Sequence, residues 1–213
     1  MGCNRIKEES IMKTFNKAQM KKIVSIINNH SKGDKGKFIF TYNDKAYISD
    51  GYRIVRCSPV MLNMENIDIP LIDYNDLESE RKNIAACIIS FFNSAKMNKE
   101  HKYTINRKEY KNALTNKRKE ARARKYVSLA EYKAEIGMRF NSRENMSFED
   151  CVVNAKYLLD LLILCPDNIV TCFTGKDRIS PVWLGNASKD VECVLVPMCW
   201  SATEKEIYIT EVY

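Results

Sequence analysis

Histidine is scarce in this chain of 213 residues, with only His30 and His101 present. None of the eight cysteines stands in a C-x-x-C pair, so a zinc ribbon or finger has no ligands at usable spacing, and no metal site is expected. Long apolar runs are missing too. The longest, around Tyr157 to Cys165, is interrupted by Asp160 and ends at Pro166, far short of the roughly 20 residues that span a bilayer. A transmembrane protein is excluded on that ground. The first residues lack the charged region, apolar core and cleavage site of a secretory signal. Met1-Gly2-Cys3 is followed by Ile6 where a myristoylation signal needs Ser or Thr. There is no G-x-S-x-G, no G-x-x-x-x-G-K-[ST] and no paired-carboxylate helix pattern, so neither catalysis nor a cofactor is expected.

What is present fits one globular unit or two small ones, with 45% hydrophobic and 29% charged residues. The cysteines fall mostly in apolar segments, where a reduced thiol acts as a small hydrophobe; a reducing cytoplasm is the expected location. The formal charge of +7 is concentrated. From Lys102 to Lys125 ten Lys or Arg face only Glu109 and Glu120, while the rest of the chain is near neutral. Such a block suits phosphate contacts and equally suits a solvated helix face. Tyr103, Tyr110 and Tyr126 flank or interleave it, placed either to stack on bases or to pack a helix onto a core.

Residue periodicity gives the organisation. Asn16 with Gln19 is a capping-box start, and Met20, Ile23, Val24 and Ile27 form an amphipathic helical stripe. Segments 37–42, 45–49 and 52–57 follow as three short strands joined at Asn43-Asp44 and Asp50-Gly51. The order returns later: a strand over 151–153, Asn154 as N-cap, a helix over 156–165, then strands over 169–174, 181–184 and 191–198. Thr14-Phe15-Asn16 and Val152-Val153-Asn154 thus open two copies of a strand-helix-three-strand unit. Between them, 83–94 reads as a buried helix with Ile84, Cys87, Ile88, Phe91 and Phe92 on one side. Thr104-Ile105-Asn106 with Glu109 is a further strand-then-cap signature leading into the basic block; 133–140 and 207–212 are additional strand candidates. The expected fold class is α+β. The expected divisions are a first half at 12–60, an inserted region with the basic block at 61–149, a second half at 150–199, and a strand or tail at 200–213.

Two stretches carry a resemblance. Ile48-Ser49-Asp50-Gly51-Tyr52-Arg53-Ile54 resembles the T-D-G-H-R-L turn of bacterial beta-type DNA polymerase sliding clamps, with Tyr52 at the His position. Val194-Leu195-Val196-Pro197-Met198 resembles the V-x-M-P-M ending of the same family. The resemblance implies a DNA-clamp-like fold of two strand-helix-three-strand halves with antiparallel sheets. In that family domains join edge to edge into a ring whose helices face DNA, which needs only cations near phosphates. Lys17, Lys21 and Lys22 on the first helix match that role, and the second helix supplies Lys156. The family's peptide pocket maps onto Gly51, Tyr52, Arg53, Pro197 and Met198. Because clamps assemble that pocket from two domains, a neighbouring subunit is expected to complete it, and a homo-oligomer of roughly six copies would close a ring.

The expected function is a non-catalytic DNA-replication accessory or processivity-type role, with DNA bound regardless of sequence and polymerase or repair-type peptides as partners. Two alternatives stay open. One is nucleic-acid binding through Lys117, Arg118, Lys119, Arg122 and Arg124 of the basic block. The other is a clamp-like protein-interaction module without DNA, such as a mobile-element protein that competes for clamp partners.

Overall fold

The structure is a computed structural model and describes residues 14–30, 33–123, 145–148, 151–176, 179–185 and 190–197. Helix α1 (Lys17–Asn28) begins where the side chain of Asn16 accepts from the backbone N–H groups of Ala18 and Gln19, while Gln19 Oε1 accepts from Asn16 N. That reciprocal cap satisfies donors which a helix start otherwise leaves open. Met20, Ile23, Ile26 and Ile27 are its buried residues, and Val24 is half-buried. Strands β1 (Ile39–Tyr42), β2 (Lys45–Ser49) and β3 (Arg53–Cys57) follow as hairpins. Asn43 and Asp44 both take positive φ, 49° and 57°, and Gly51 sits at 88°, the backbone handedness that tight turns between twisted strands require.

The middle of the chain supplies β4 (Leu71–Asp73), α2 (Ser79–Met97), β5 (His101–Asn106), α3 (Arg107–Ala123) and β6 (Asn145–Phe148). Then come β7 (Cys151–Asn154), α4 (Ala155–Leu164), β8 (Ile169–Thr174), β9 (Val182–Gly185) and β10 (Val191–Leu195). The described residues therefore form a mixed α/β architecture with one large sheet and four α-helices. Eight strands run in the order β4-β1-β2-β3-β10-β9-β8-β5, and β6 pairs with β7 in a small separate sheet. The two halves meet through their last strands: β3 and β10 are antiparallel, with Cys57 opposite Val191 and Arg53 opposite Leu195. The strand order is a mirror about that seam.

Alternation along the strands splits the core into two faces. Ile48, Val55, Cys193 and Leu195 pack under α1 and α4, and α3 brings Tyr110 and Leu114 to the same cluster. Phe40, Tyr47, Ile54, Trp183 and Val194 point the other way and are covered by Ala85, Phe92 and Ala95 of α2. β10 lies between the two and is buried at all five positions. Even its Glu192 is enclosed, held by Arg56 on β3 and by Lys96 of α2 at 2.9 Å.

Several expectations change. Residues 14–16 are not a strand: Phe15 N donates to Met61 O, and Asn16 is committed to its cap. Within the region 61–149, β4 runs parallel to β1 and β5 antiparallel to β8, so these two strands stand at the two ends of the large sheet. Cys87 is exposed, because the inward stripe of α2 runs through Ala85, Phe92 and Ala95. The strand candidates at 133–140 and 207–212 lie outside the described residues.

Candidate nucleic-acid interface

Three helices share one face of the sheet, and specific bonds tie them together. Gln19 Nε2 of α1 donates to the carbonyls of Ile163 and Leu164 at the end of α4, at 3.1 and 3.2 Å. Arg107, at the start of α3, reaches the same helix end through the carbonyl of Cys165 at 2.8 Å. A cation and an amide thus satisfy carbonyls that the last turn of α4 leaves without helical partners. Tyr110 is buried and its hydroxyl donates to Ala155 O at 3.0 Å. Its ring therefore packs α3 onto the core and is not available to stack on a base.

This helical layer carries the cations. Lys17 and Lys21 on α1, Lys156 on α4, and Lys108 and Lys111 on α3 are exposed. Lys22 differs: its ammonium lies 2.6 Å from Asp160 Oδ1, so its charge is paired within the protein. Lys117, Arg118, Lys119 and Arg122 fall within the span of α3, and Arg124 lies outside the described residues. Beside α1 runs a groove of about 490 Å³ lined by Phe15, Lys17, Met20, Lys21, Val24 and Asn63. Of these, Phe15 and Met20 are buried in the core, Val24 is half-buried, and Lys17 and Lys21 are exposed.

The Asp50-Gly51-Tyr52-Arg53 turn is built around a buried charge cluster. Asp50 Oδ1 accepts from the backbone of Tyr52 at 2.9 Å and of Arg53 at 2.6 Å, while Ser49 Oγ accepts from Gly51 N. Arg53 turns inward and is only 1% exposed. Its Nε and NH2 meet Asp50 Oδ2 at 2.8 and 2.6 Å, its NH1 meets Asp160 Oδ2 at 2.8 Å, and the Tyr157 ring lies 4.1 Å beneath the guanidinium. Burial pushes the Tyr157 phenol above its ordinary value near 10, with the Arg53 charge opposing. The side chain expected to line a surface pocket is instead an internal tie between β3 and α4.

Tyr52 itself is 49% exposed, with its ring 6.1 Å from that of Tyr157. Val196 N donates to Tyr52 O at 2.8 Å, which places the turn directly beside the Val196-Pro197 segment. No second subunit is needed to bring these elements together, because Arg53 and Leu195 are register partners in one sheet. Gly51 is exposed, Pro197 is buried, and Met198 lies outside the described residues. Asp160 stands out in the sequence as a lone carboxylate inside an apolar helix; Asp50 and Gln19 are legible there as turn and cap residues but not as partners of Arg53 and of α4, and Arg107 only as one cation of the basic block.

Among the described residues no group of three His, Cys, Asp or Glu side chains is placed to hold a metal ion. Cys57, Cys165, Cys172 and Cys193 are all buried in the α1/α4 core. Burial pushes the Cys57 thiol up to about 12 and that of Cys172 higher still. A hydrogen bond with Cys165, together with burial, holds Cys193 well above the ordinary range. Cys57, Cys172 and Cys193 stay protonated at neutral pH, and all four cysteines serve as apolar filling. No helix among the described residues is long and apolar enough to cross a membrane.

Sequence comparison matches no protein-family model and no curated protein. Among solved structures, the chain is similar to the DnaN sliding clamp (DNA polymerase III subunit beta) of Bartonella birtlesii, solved bound to griselimycin. The TM-score is 0.47 and the identity 11%, over 86% of this chain and 65% of that one. It is also similar to the DNA polymerase III beta subunit of Thermotoga maritima, with a TM-score of 0.33 and 14% identity over 74% of this chain. The chain spans 65% and 42% of the lengths of these two proteins.

Proposed function

We propose that the chain is a non-catalytic DNA-replication accessory protein of the sliding-clamp type, associating with duplex DNA regardless of sequence through its helical face. One observation carries this proposal. Two copies of a helix followed by three antiparallel strands join through β3 and β10, which lays α1 and α4 on the same face with Lys17, Lys21 and Lys156 outward. Flexible ammonium groups on a helical layer suit phosphates and read no bases. α3 packs against α4 in the same layer, so Lys108 and Lys111 extend that surface.

In the same proposal the exposed Gly51-Tyr52 turn, with Pro197 and Met198, is the contact for partner peptides, and Arg53 holds the turn from beneath. The outer edges of β1 and β8 are already covered by β4 and β5 of the same chain. Assembly by pairing through β1 and β8 is therefore closed off, and β4 and β5 are the edges that a second copy would use.

The test is fluorescence anisotropy with short duplexes of unrelated sequence at several salt concentrations, combined with light scattering. Equal affinities for all duplexes are expected, and Lys17→Gln with Lys21→Gln should lower the slope of log K against log salt by about 2, near 0.9 for each phosphate that is no longer neutralised. Absence of binding at about 50 mM salt, where such electrostatic attraction is strongest, would overturn the DNA role and favour a protein-interaction module. Light scattering shows whether the DNA-bound species is a single copy or a closed multiple joined through β4 and β5.

A further inference from the structure

A chain of charges joins α1 to the turn that carries Tyr52. Lys22 Nζ lies 2.6 Å from Asp160 Oδ1, and Asp160 Oδ2 lies 2.8 Å from Arg53 NH1. Arg53 NH2 in turn meets Asp50 Oδ2 at 2.6 Å, and Asp50 Oδ1 accepts from Tyr52 N at 2.9 Å. Two carboxylates and two cations make up this chain, so its charges balance. The side chains of Asp50, Arg53 and Asp160 are 0%, 1% and 5% exposed, against 34% for Lys22. Lys22 is thus the one member that reaches water.

We infer that Lys22 governs the Gly51-Tyr52 turn: its ammonium on Asp160 leaves Arg53 to Asp50, and its withdrawal by an anion at the helical face makes the two carboxylates compete for Arg53. Lys22 is suited to withdraw. It follows Lys21 on the helix whose Lys17 and Lys21 are exposed, and a partly exposed ion pair holds only weakly against water and other ions. The buried members are not suited to do without it. Once Lys22 leaves, two carboxylates and one cation remain where little solvent screens them, so Asp160 draws harder on the guanidinium.

The effect reaches Tyr52 along two routes. Asp50 fixes the backbone N–H groups of both Tyr52 and Arg53. The Tyr52 ring lies 6.1 Å from that of Tyr157, which itself lies 4.1 Å from the guanidinium. Linkage makes the coupling reciprocal: a partner that holds the turn in its present form keeps Lys22 on Asp160 and weakens the grip on an anion. That consequence rests on the DNA and peptide proposals above, whereas the relay from Lys22 to the turn does not.

Heteronuclear NMR of the isotopically labelled full chain tests the relay, with the Arg53 Nε–H and Tyr52 backbone N–H resonances as reporters. Without DNA, Lys22→Met should move both reporters, and Lys22→Arg, which keeps a cation beside Asp160, should restore them. Lys17→Met removes an ammonium outside the chain of charges and should move neither. A short duplex added to the native protein should shift both reporters toward their Lys22→Met positions. In Lys22→Met the same duplex should leave them still while the amides of α1 respond. Reporters unmoved by Lys22→Met, or moved equally by Lys17→Met, would overturn the relay whatever DNA does. A duplex that shifts the α1 amides and neither reporter would overturn it too, and leave the DNA proposal standing. Displacement by Lys22→Met with no response of α1 to duplex would uphold the relay and defeat the DNA proposal.

Discussion

Arg53→Met isolates the buried charge cluster. In the native protein the guanidinium makes three short bonds to carboxylates, at 2.8, 2.6 and 2.8 Å, and rests on the Tyr157 ring. Bonds of that kind contribute about 1.5–3 kcal/mol each, but burying the cation costs several kcal/mol in return. The decisive quantity is what remains after removal. Asp50 keeps two backbone donors and Asp160 keeps Lys22, yet two buried carboxylates are left without the cation between them. Breaking a buried pair in this way costs about 3–5 kcal/mol, a large share of the roughly 5–15 kcal/mol that holds a typical domain. Lys22→Met supplies the contrast: its side chain is 34% exposed, so about 0–1 kcal/mol is expected. Urea unfolding at pH 7 followed by circular dichroism measures both. The reasoning also requires that replacing the whole cluster, Asp50→Asn with Arg53→Met and Asp160→Leu, recovers much of the loss, because no charge is then stranded. An Arg53→Met variant no less stable than Lys22→Met would refute it.

Asn16→Ala should cost about 1 kcal/mol through loss of the α1 cap, while amide exchange should rise first at Ala18 and Gln19, whose N–H groups donate to the Asn16 side chain; unchanged protection there would contradict the cap. Alkylation of the folded chain should modify the exposed Cys87 well before Cys57, Cys172 or Cys193, and peptide mapping after a short iodoacetamide pulse checks the order. Because folding raises those three thiols above their ordinary value near 9, the folded state holds protons that the unfolded chain releases. Their contribution is complete below about pH 9 and declines as pH rises toward 12, so the urea midpoint should fall over that range.

Elements governed by local chemistry were legible in the sequence. Asn16 and Gln19 announced α1, Asn154 announced α4, and Asn43-Asp44 and Asp50-Gly51 announced the two hairpins, because caps and tight turns are set by a few adjacent residues. What depends on partners distant in the chain was not. β4 is three residues long and owes its existence to β1. β5 reads as a strand, but nothing in it specifies β8 as its neighbour. The middle of α2, from Ile84 to Phe92, is apolar at every position but Ser90, so its period alone left Cys87 and Ala85 interchangeable as inward residues. Arg53, polar and next to a turn, looked like a surface residue; its burial is decided by Asp160, which the sequence displayed without saying what it faces.

The seam between β3 and β10 also dictates when the molecule becomes a protein. Its partners are far apart in the chain, 136 positions in the case of Arg56 and Glu192, and closing such a loop costs about 4 kcal/mol of chain entropy before any pairing repays it. During synthesis the first three strands therefore emerge with β3 as an open edge and with Arg53 lacking its second carboxylate. An unpaired edge of this kind invites pairing with another nascent chain. The seam completes late, only after residue 195 has been made. The yield of native molecules from the ribosome thus depends on how quickly the second half arrives to cover the first.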